Sequence, residues 1–424
     1  MILTIEFKIK RIYLYKKKYN IIEVAYMVYK LLSKVYYQSN EEYEALYKER
    51  INNDDTRILN IKIHGNKAFY LINSDIHFLS MKIMELDKKV QMARSSLPAV
   101  AIRQFANKSL VDEILLTNDI EGVYSTRKEI KNILNEPDRA EKNKRRFSGL
   151  VTRYKMLGRN KLKLNNCEDI RTIYNELVLP EILMNDLSGA PDGKIFRKSL
   201  AEVTTVTQKV IHKGVYPESK IIECMEEALN ILNDDSITML IRIAIFHYLF
   251  GYIHPFYDGN GRTSRFISSY LLSNYMDNLI SYRLSYTIKE NISDYYDAFK
   301  ICNDEKNKGD LTPFIIIFLE ILAKAFEKLY EALYNRKAQL EKAYENLDKI
   351  KIFAVGDLRG MALCLVQAAL FSFDGISVKE LCESLELSES TVRKKLLKIE
   401  NEGYLTSINM GKYKYYKFDV EKLG

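Results

Sequence analysis

Residues 254–265 read HPFYDGNGRTSR. Each residue type here is ordinary alone: Asp-Gly and Asn-Gly form turns, and two arginines at helical spacing commonly make a solvated face. In this order they suit one chemistry. Gly259 and Gly261 allow backbone to approach an anion where a Cβ would obstruct it. A glycine-rich loop that opens a helix presents unpaired N–H groups and the positive end of the helix dipole. Arg262 and Arg265 lie three apart, so both are expected to project toward one region, and guanidinium forks suit phosphate oxygens. Asp258, acidic within a cationic nest, makes sense as a hard oxygen ligand for Mg²⁺ bridging two phosphates. His254 can accept a proton near neutrality. The stretch reads as a nucleotide polyphosphate site with a base beside it.

Two helices must hold this loop. Ile237 to Tyr252 is apolar nearly all round, which predicts a buried helix. The loop is expected to run to Gly261, and a second helix over 262–276 buries Phe266, Tyr270, Leu271 and Leu272. His247, one segment earlier, reads as a packed polar residue. Helical periodicity extends from Asp75 to about Ile350, with Leu79, Ile83, Met84, Leu86 and Val90 marking one face. The exception is SLAEVTTVTQKVIHKGVYPES, whose β-branched residues, Gly214 and Pro217 predict an inserted hairpin. Residues 1–75 read as a small α/β region. MILTIEFKIKRIYLYKKK alternates as a strand does, and RILNIKI-HGN-KAFYLI signals a hairpin around Gly65 and Asn66. A long helix over 313–348 reads as a connector in its charged second half.

Composition narrows the class. With 47% hydrophobic and 28% charged residues the chain reads as an ordinary soluble protein. A net charge of +8 permits nucleic-acid contact without demanding it. Five cysteines, none in a CxxC pair, argue against a disulfide framework or a zinc site and fit a reducing cytoplasm. The oiliest run, FIIIFLEILAKAF, is broken by Glu320 and Lys324 well short of a bilayer span, so no membrane role is expected.

The 254–265 stretch resembles the signature of Fic-domain proteins, HxFx[DE]GN[GK]RxxR, and matches it at every specified position. The resemblance covers roughly residues 100–330. It implies transfer of AMP from ATP to a Tyr, Thr or Ser hydroxyl of a target protein or of the chain itself. His254 would deprotonate that hydroxyl, Asp258 would hold Mg²⁺, and Gly259, Asn260 and Gly261 would form the anion nest. Arg262 and Arg265 would grip the β- and γ-phosphates, and Phe256 would anchor the loop. The phosphotransferase branch of the family has lysine where this chain has Gly261, which favours AMP transfer. Tyr296, Phe299 and Asn303 match positions lining the adenine pocket, although DEKNK follows Asn303 as an insertion. The hairpin around 203–214 resembles the family's flap, whose edge pairs with an extended target segment.

TNDIEG, Thr117 to Gly122, resembles the family's inhibitory motif, [ST]xxxE[GN], in a helix over about 108–122. Glu121 would pair with Arg265 and deny that fork to the γ-phosphate. The same glutamate can support the reverse reaction, removal of AMP from a modified protein. Homo-oligomers are common in the family, so the resemblance allows a homodimer.

The last segment reads helix, turn, helix, hairpin, with Ser377 and Ser388 as N-caps and Gly403 as a helix stop. That order is a winged helix. Arg393, Lys394, Lys395 and Lys398 on its second helix, with Lys412, Lys414 and Lys417 on the wing, raise a rival reading as a DNA-binding regulator. Glu400 and Glu402 interrupt the patch, and a protein-binding module is the alternative. The expected architecture is mainly α: an α/β region over 1–75, a Fic-type helical core with a β-hairpin flap over 76–335, a helical connector over 336–354 and a winged helix over 355–424.

Overall fold

Two residues of positive φ, His64 (46°) and Gly65 (83°), turn the first hairpin, a two-residue connection that matches strand twist. It joins β1 (Thr56–Ile63) to β2 (Asn66–Leu71), antiparallel with Ile63 opposite Asn66, so the turn falls one residue before the expected Gly65-Asn66 pair. The computed structural model describes residues 29–136, 145–158, 161–185, 187–204, 210–354, 356–410 and 413–423. The strand expected at the N-terminus and the wing turn at Gly411 lie outside these residues.

Before the hairpin come α1 (Leu32–Tyr36) and α2 (Asn40–Ile51). After it, α3 (Ser74–Ser95), α4 (Ala99–Ile120), α5 (Arg127–Asn135), α6 (Ser148–Lys155), α7 (Cys167–Leu177) and α8 (Leu179–Asn185) lead to a second hairpin, β3 (Glu202–Thr204) and β4 (Val210–Lys213). Then follow α9 (Glu218–Leu232), α10 (Met239–Ile253), α11 (Asn260–Tyr275), α12 (Leu284–Glu290), α13 (Ile292–Cys302), α14 (Thr312–Leu347) and the short α15 (Lys351–Ala354). The fold is mainly α, as expected, and no helix among the described residues is long and apolar enough to cross a membrane.

Helix α10 buries every residue from Leu240 to Ile253 except Gly251, as its apolar circumference requires. On α3, Leu79, Ile83, Leu86 and Val90 face the core, but Met84 is 52% exposed. Its place in the sequence rotates it away from that stripe, so it does not belong to the apolar face assigned to it. The insertion after Asn303 has a structural use. It leads to Asp310, buried, whose carboxylate accepts from Tyr29 Oη (2.6 Å), Arg50 Nη1 (3.0 Å) and the Thr312 N–H (2.9 Å). Phe69 of β2 exchanges backbone bonds with Gly309 and Leu311 beside it. The N-terminal region is thereby fastened to the start of α14.

The tail runs α16 (Arg359–Phe371), β5 (Ile376–Ser377), α17 (Val378–Leu385), α18 (Glu389–Asn401), β6 (Leu405–Met410) and β7 (Tyr413–Phe418), with sheet order β5-β7-β6. The helices and the final hairpin follow in the order expected from the sequence. Ser377 caps α17 in a full capping box with Glu380, Ser388 caps α18, and Gly403 (φ 79°) follows its end. One apolar core runs from the first hairpin through α10 and α14 into α16 and β7.

Candidate active site

The polar loop between α10 and α11 is short because both helices reach into it. Helix α10 ends at Ile253 and is capped by His254, itself in the left-handed region (φ 51°, ψ 62°). Helix α11 starts at Asn260, two residues earlier than expected, with Gly259 (φ 79°) as N-cap. Asn260 explains the early start. Its Oδ1 accepts the Phe256 N–H (3.0 Å) and its Nδ2 donates to the Phe256 carbonyl (2.8 Å), so the side chain fixes the loop rather than facing outward. Phe256 is fully buried and stacked on Tyr174, with ring centroids 3.6 Å apart. The first bond inside α11 is Thr263 N–H to Gly259 O, which leaves the N–H groups of Asn260, Gly261 and Arg262 without helical acceptors.

The two glycines serve different purposes. A Cβ on Gly259 would stand 2.8 Å from Val178 Cγ2, so this position answers to apolar packing and positive φ, not to a passing phosphate. At Gly261 a Cβ would stand 2.1 Å from Glu121 Oε1. A carboxylate therefore lies over the bare backbone at the helix start.

The two arginines also part company, each reaching a different element. Arg265, buried, donates from Nε to Thr117 Oγ1 (2.8 Å) and from Nη2 to the Thr117 carbonyl (3.0 Å) and Glu121 Oε1 (2.9 Å). Thr117 and Glu121 stand one turn apart at the end of α4, so one fork takes both. Arg262, equally buried, gives Nη1 to Glu181 Oε2 on α8 (2.6 Å), and Asp258 Oδ2 lies 3.7 Å from its Nη2. Its Nε and Nη2 have no hydrogen-bond partner. Buried guanidinium N–H groups without acceptors fit an anion at this spot.

Burial above all, with the charges of His212 and Arg197, pushes the His254 imidazole down to about 4; Glu121 and a hydrogen bond to the Gly251 backbone act the other way. The ring is neutral at pH 7 and has a nitrogen able to accept a proton. Asp258 is exposed, and its Oδ1 accepts the Gly259 N–H (2.5 Å). Among the described residues no group of three or more His, Cys, Asp and Glu side chains could hold a metal ion. One open carboxylate suits Mg²⁺, which usually takes one or two protein carboxylates and completes its shell with phosphate and water.

The sequence profile of the Fic/DOC family matches residues 166–272, from α7 through the loop into α11. Over that stretch the chain is similar to the Fic/DOC family. Over 107 residues it is 31% identical to the protein adenylyltransferase Fic of Drosophila grimshawi and to that of Drosophila mojavensis. Those matches take in 25% of this chain and 20% of each relative, so the chain spans about a fifth of the curated relatives it matches. A Fic family protein from Desulfovibrio desulfuricans G20 shares the fold, with a TM-score of 0.50 at 19% identity over 82% of this chain and 97% of that one.

Around the loop the sequence left two partners unseen. Glu181 holds Arg262, and Arg197 donates from Nε to the carbonyl of His254 (2.8 Å). They sit 81 and 57 residues from their partners, with no motif to mark the pairing. The remaining expected residues fall on α13 and its end. Tyr296 is half exposed; Phe299 packs beside Gly251, where a Cβ would stand 2.5 Å from its ring; and the Asn303 Oδ1 accepts from Tyr248 Oη (2.7 Å). His247 is the packed polar residue expected, bonded to Ser268 and Tyr295.

Proposed function

We propose that this chain is a protein adenylyltransferase that transfers AMP from ATP to a hydroxyl side chain, restrained by its own Glu121. The observation that carries this reading is the Glu121 carboxylate on Arg265, poised over Gly261 at the start of α11 and beside a neutral imidazole. A carboxylate there presents oxygens where a phosphate would present its own.

In the productive state Glu121 leaves and the Arg265 fork takes the γ-phosphate, while the unpaired Nε and Nη2 of Arg262 bind the β-phosphate. The N–H groups of Asn260, Gly261 and Arg262 line the cradle. His254 takes the proton of the attacking Tyr, Thr or Ser hydroxyl. The hydroxyl oxygen bonds to the α-phosphorus as the bond to the β-phosphate bridging oxygen breaks, and pyrophosphate departs. Asp258 is the residue that would hold Mg²⁺, which supplies charge neutralisation to the phosphates. Tyr296 and Phe299 offer aromatic surface to the adenine. Asn303, whose Oδ1 accepts from Tyr248, keeps its Nδ2 to offer the adenine. The β3–β4 hairpin is the proposed flap, which seats an extended target segment by strand addition.

The test uses labelled ATP and Mg²⁺ with wild type, Glu121→Gly and His254→Ala. Label transfer is expected to rise at least tenfold in Glu121→Gly and to vanish in His254→Ala. Equal labelling of wild type and Glu121→Gly would remove the brake, and labelling by His254→Ala would remove the assigned base. Chase of pre-labelled protein with each variant reads the reverse reaction directly.

A further inference from the structure

Arg197 lies in the segment leading to β3 and is fully buried. Its Nε donates to the His254 carbonyl (2.8 Å), Nη1 to the Ser199 carbonyl (2.6 Å), and Nη2 to the carbonyls of Val215 (2.8 Å) and Ile253 (3.4 Å). Its partners are thus backbone carbonyls rather than a carboxylate. A buried cation compensated only by carbonyls carries a heavy desolvation cost, so its place calls for an explanation.

The four carbonyls supply one. Ser199 precedes β3 and Val215 follows β4, so they are the two roots of the hairpin. Ile253 and His254 are the last carbonyls of α10, where orphan acceptors and the negative end of the helix dipole gather. One rigid fork therefore joins both roots of the hairpin to the residue that carries the imidazole. The surroundings fix the fork. The Arg197 N–H donates to the Pro255 carbonyl (3.2 Å), and the Glu218 carboxylate accepts from the N–H groups of Ile195 and Phe196 (2.8 and 2.9 Å). Asp192 Oδ1 accepts from the Lys198 N–H and from Tyr257 Oη of the loop (2.8 and 2.9 Å). Gly214 leaves the space: a Cβ there would stand 2.3 Å from Arg197 Nη2 and 3.0 Å from the His254 Cβ.

We infer that Arg197 is a positioning residue that holds the His254 backbone and the roots of the β3–β4 hairpin as one unit, so that a segment docked on the hairpin edge meets the imidazole at a fixed place. The part that concerns an acceptor rests on the adenylyltransferase reading; the part that concerns the ring does not. Charges around the ring support the assignment. Arg197 approaches from the β3 side, His212 from β4 and Glu121 from α4, and the first two favour the neutral imidazole.

The experiment uses the full chain in the Glu121→Gly background, with Arg197→Gln and Arg197→Lys. Three quantities are read: the His254 ring titration by NMR, the ATP concentration for half-maximal self-labelling, and the self-labelling rate at saturating ATP. Arg197→Gln is expected to raise the ring midpoint by at least half a pH unit and to cut the saturated rate at least tenfold, with half-saturation by ATP changed less than twofold. Arg197→Lys, which keeps the charge but not the fork, is expected to retain the midpoint and still lose the rate. Unchanged midpoint and rate in Arg197→Gln overturn the inference, as does full recovery of the rate by lysine, which would leave no part for the fork. If the parent variant does not label at all, the adenylyltransferase reading fails, and the ring titration alone decides Arg197. Circular dichroism identifies a glutamine variant that fails to fold, in which case the lysine variant carries the decision.

Discussion

Arg262 and Arg265 share a helix face in the sequence and meet different carboxylates in space. Arg265 is engaged through Nε and Nη2, while Arg262 Nε and Nη2 have no hydrogen-bond partner. Glu181 and Arg262 form a buried pair with side chains 4% and 1% exposed. Removing one partner of such a pair leaves a charge in a poor solvent, at a cost of about 3–5 kcal/mol. Glu181→Gln is therefore expected to lower the urea midpoint by a corresponding amount, and Mg²⁺–ATP to recover part of the loss by supplying negative charge to Arg262. A midpoint shift equivalent to less than about 0.5 kcal/mol, the range of an ordinary surface substitution, would show that Glu181 does not anchor Arg262. The signature itself was legible because its residues are contiguous and chemically distinctive. Glu181 and Arg197 were not, because each reaches the loop from a distant segment and only tertiary packing reveals the pairing.

Helix α4 is more than the bearer of Glu121. Glu113, Thr117 and Glu121 repeat every four residues and form one stripe, of which Glu113 alone lies outside any motif. The Glu113 carboxylate is fully buried and accepts the Ser285 N–H at the start of α12 (2.9 Å to each oxygen). Burial pushes it up to about 7, against the hydrogen bonds from Ser285 and Tyr286 and the charge of Arg265. Between roughly pH 4.5 and 7 the folded chain thus holds a proton that the unfolded chain has released, so this group lowers stability as pH rises and contributes no further change above that window. The span corresponds to about 3 kcal/mol at most. Glu113→Gln is expected to match wild type near pH 5 and to exceed it near pH 8 in urea midpoint; equal midpoints at both pH values would show that Glu113 is charged in the fold. Element boundaries were otherwise readable where a cap or a break is local, as at Ser377, Ser388 and Gly403. The start of α11 was not, because the Asn260 clamp on Phe256 depends on the folded loop.

Across the whole molecule α4 lies between the 254–259 loop and the tail. Its outer side and the following α5 hold the C-terminal segment: Gln104 Nε2 donates to Glu380 Oε1 (2.9 Å), Arg103 bonds to Ser384, Lys131 pairs with Asp374, and Asn135 Nδ2 donates to Tyr415 Oη (2.6 Å). Lys108 and Arg127 sit over the Phe373 ring at 4.3 and 4.1 Å. Of the cations in the DNA-binding reading, Arg393 pairs with Glu389 in an exposed ion pair, Lys395 pairs with Asp357, and Lys417 donates to the Phe373 carbonyl. The contacts from α4 and α5 tie the tail to the helix that bears Glu121. On the proposed reading, Arg103→Ala with Gln104→Ala is expected to loosen these contacts without touching the 254–259 loop, and so to release Arg265 from Glu121 more often. Label transfer is expected to rise severalfold in this double variant of the wild-type chain. In the Glu121→Gly background, where nothing remains to release, the same two substitutions are expected to change it less than twofold. An equal rise in both backgrounds would mean that the tail acts on the reaction by a route that does not pass through the glutamate, and no rise in either would mean that α4 holds its place without the tail.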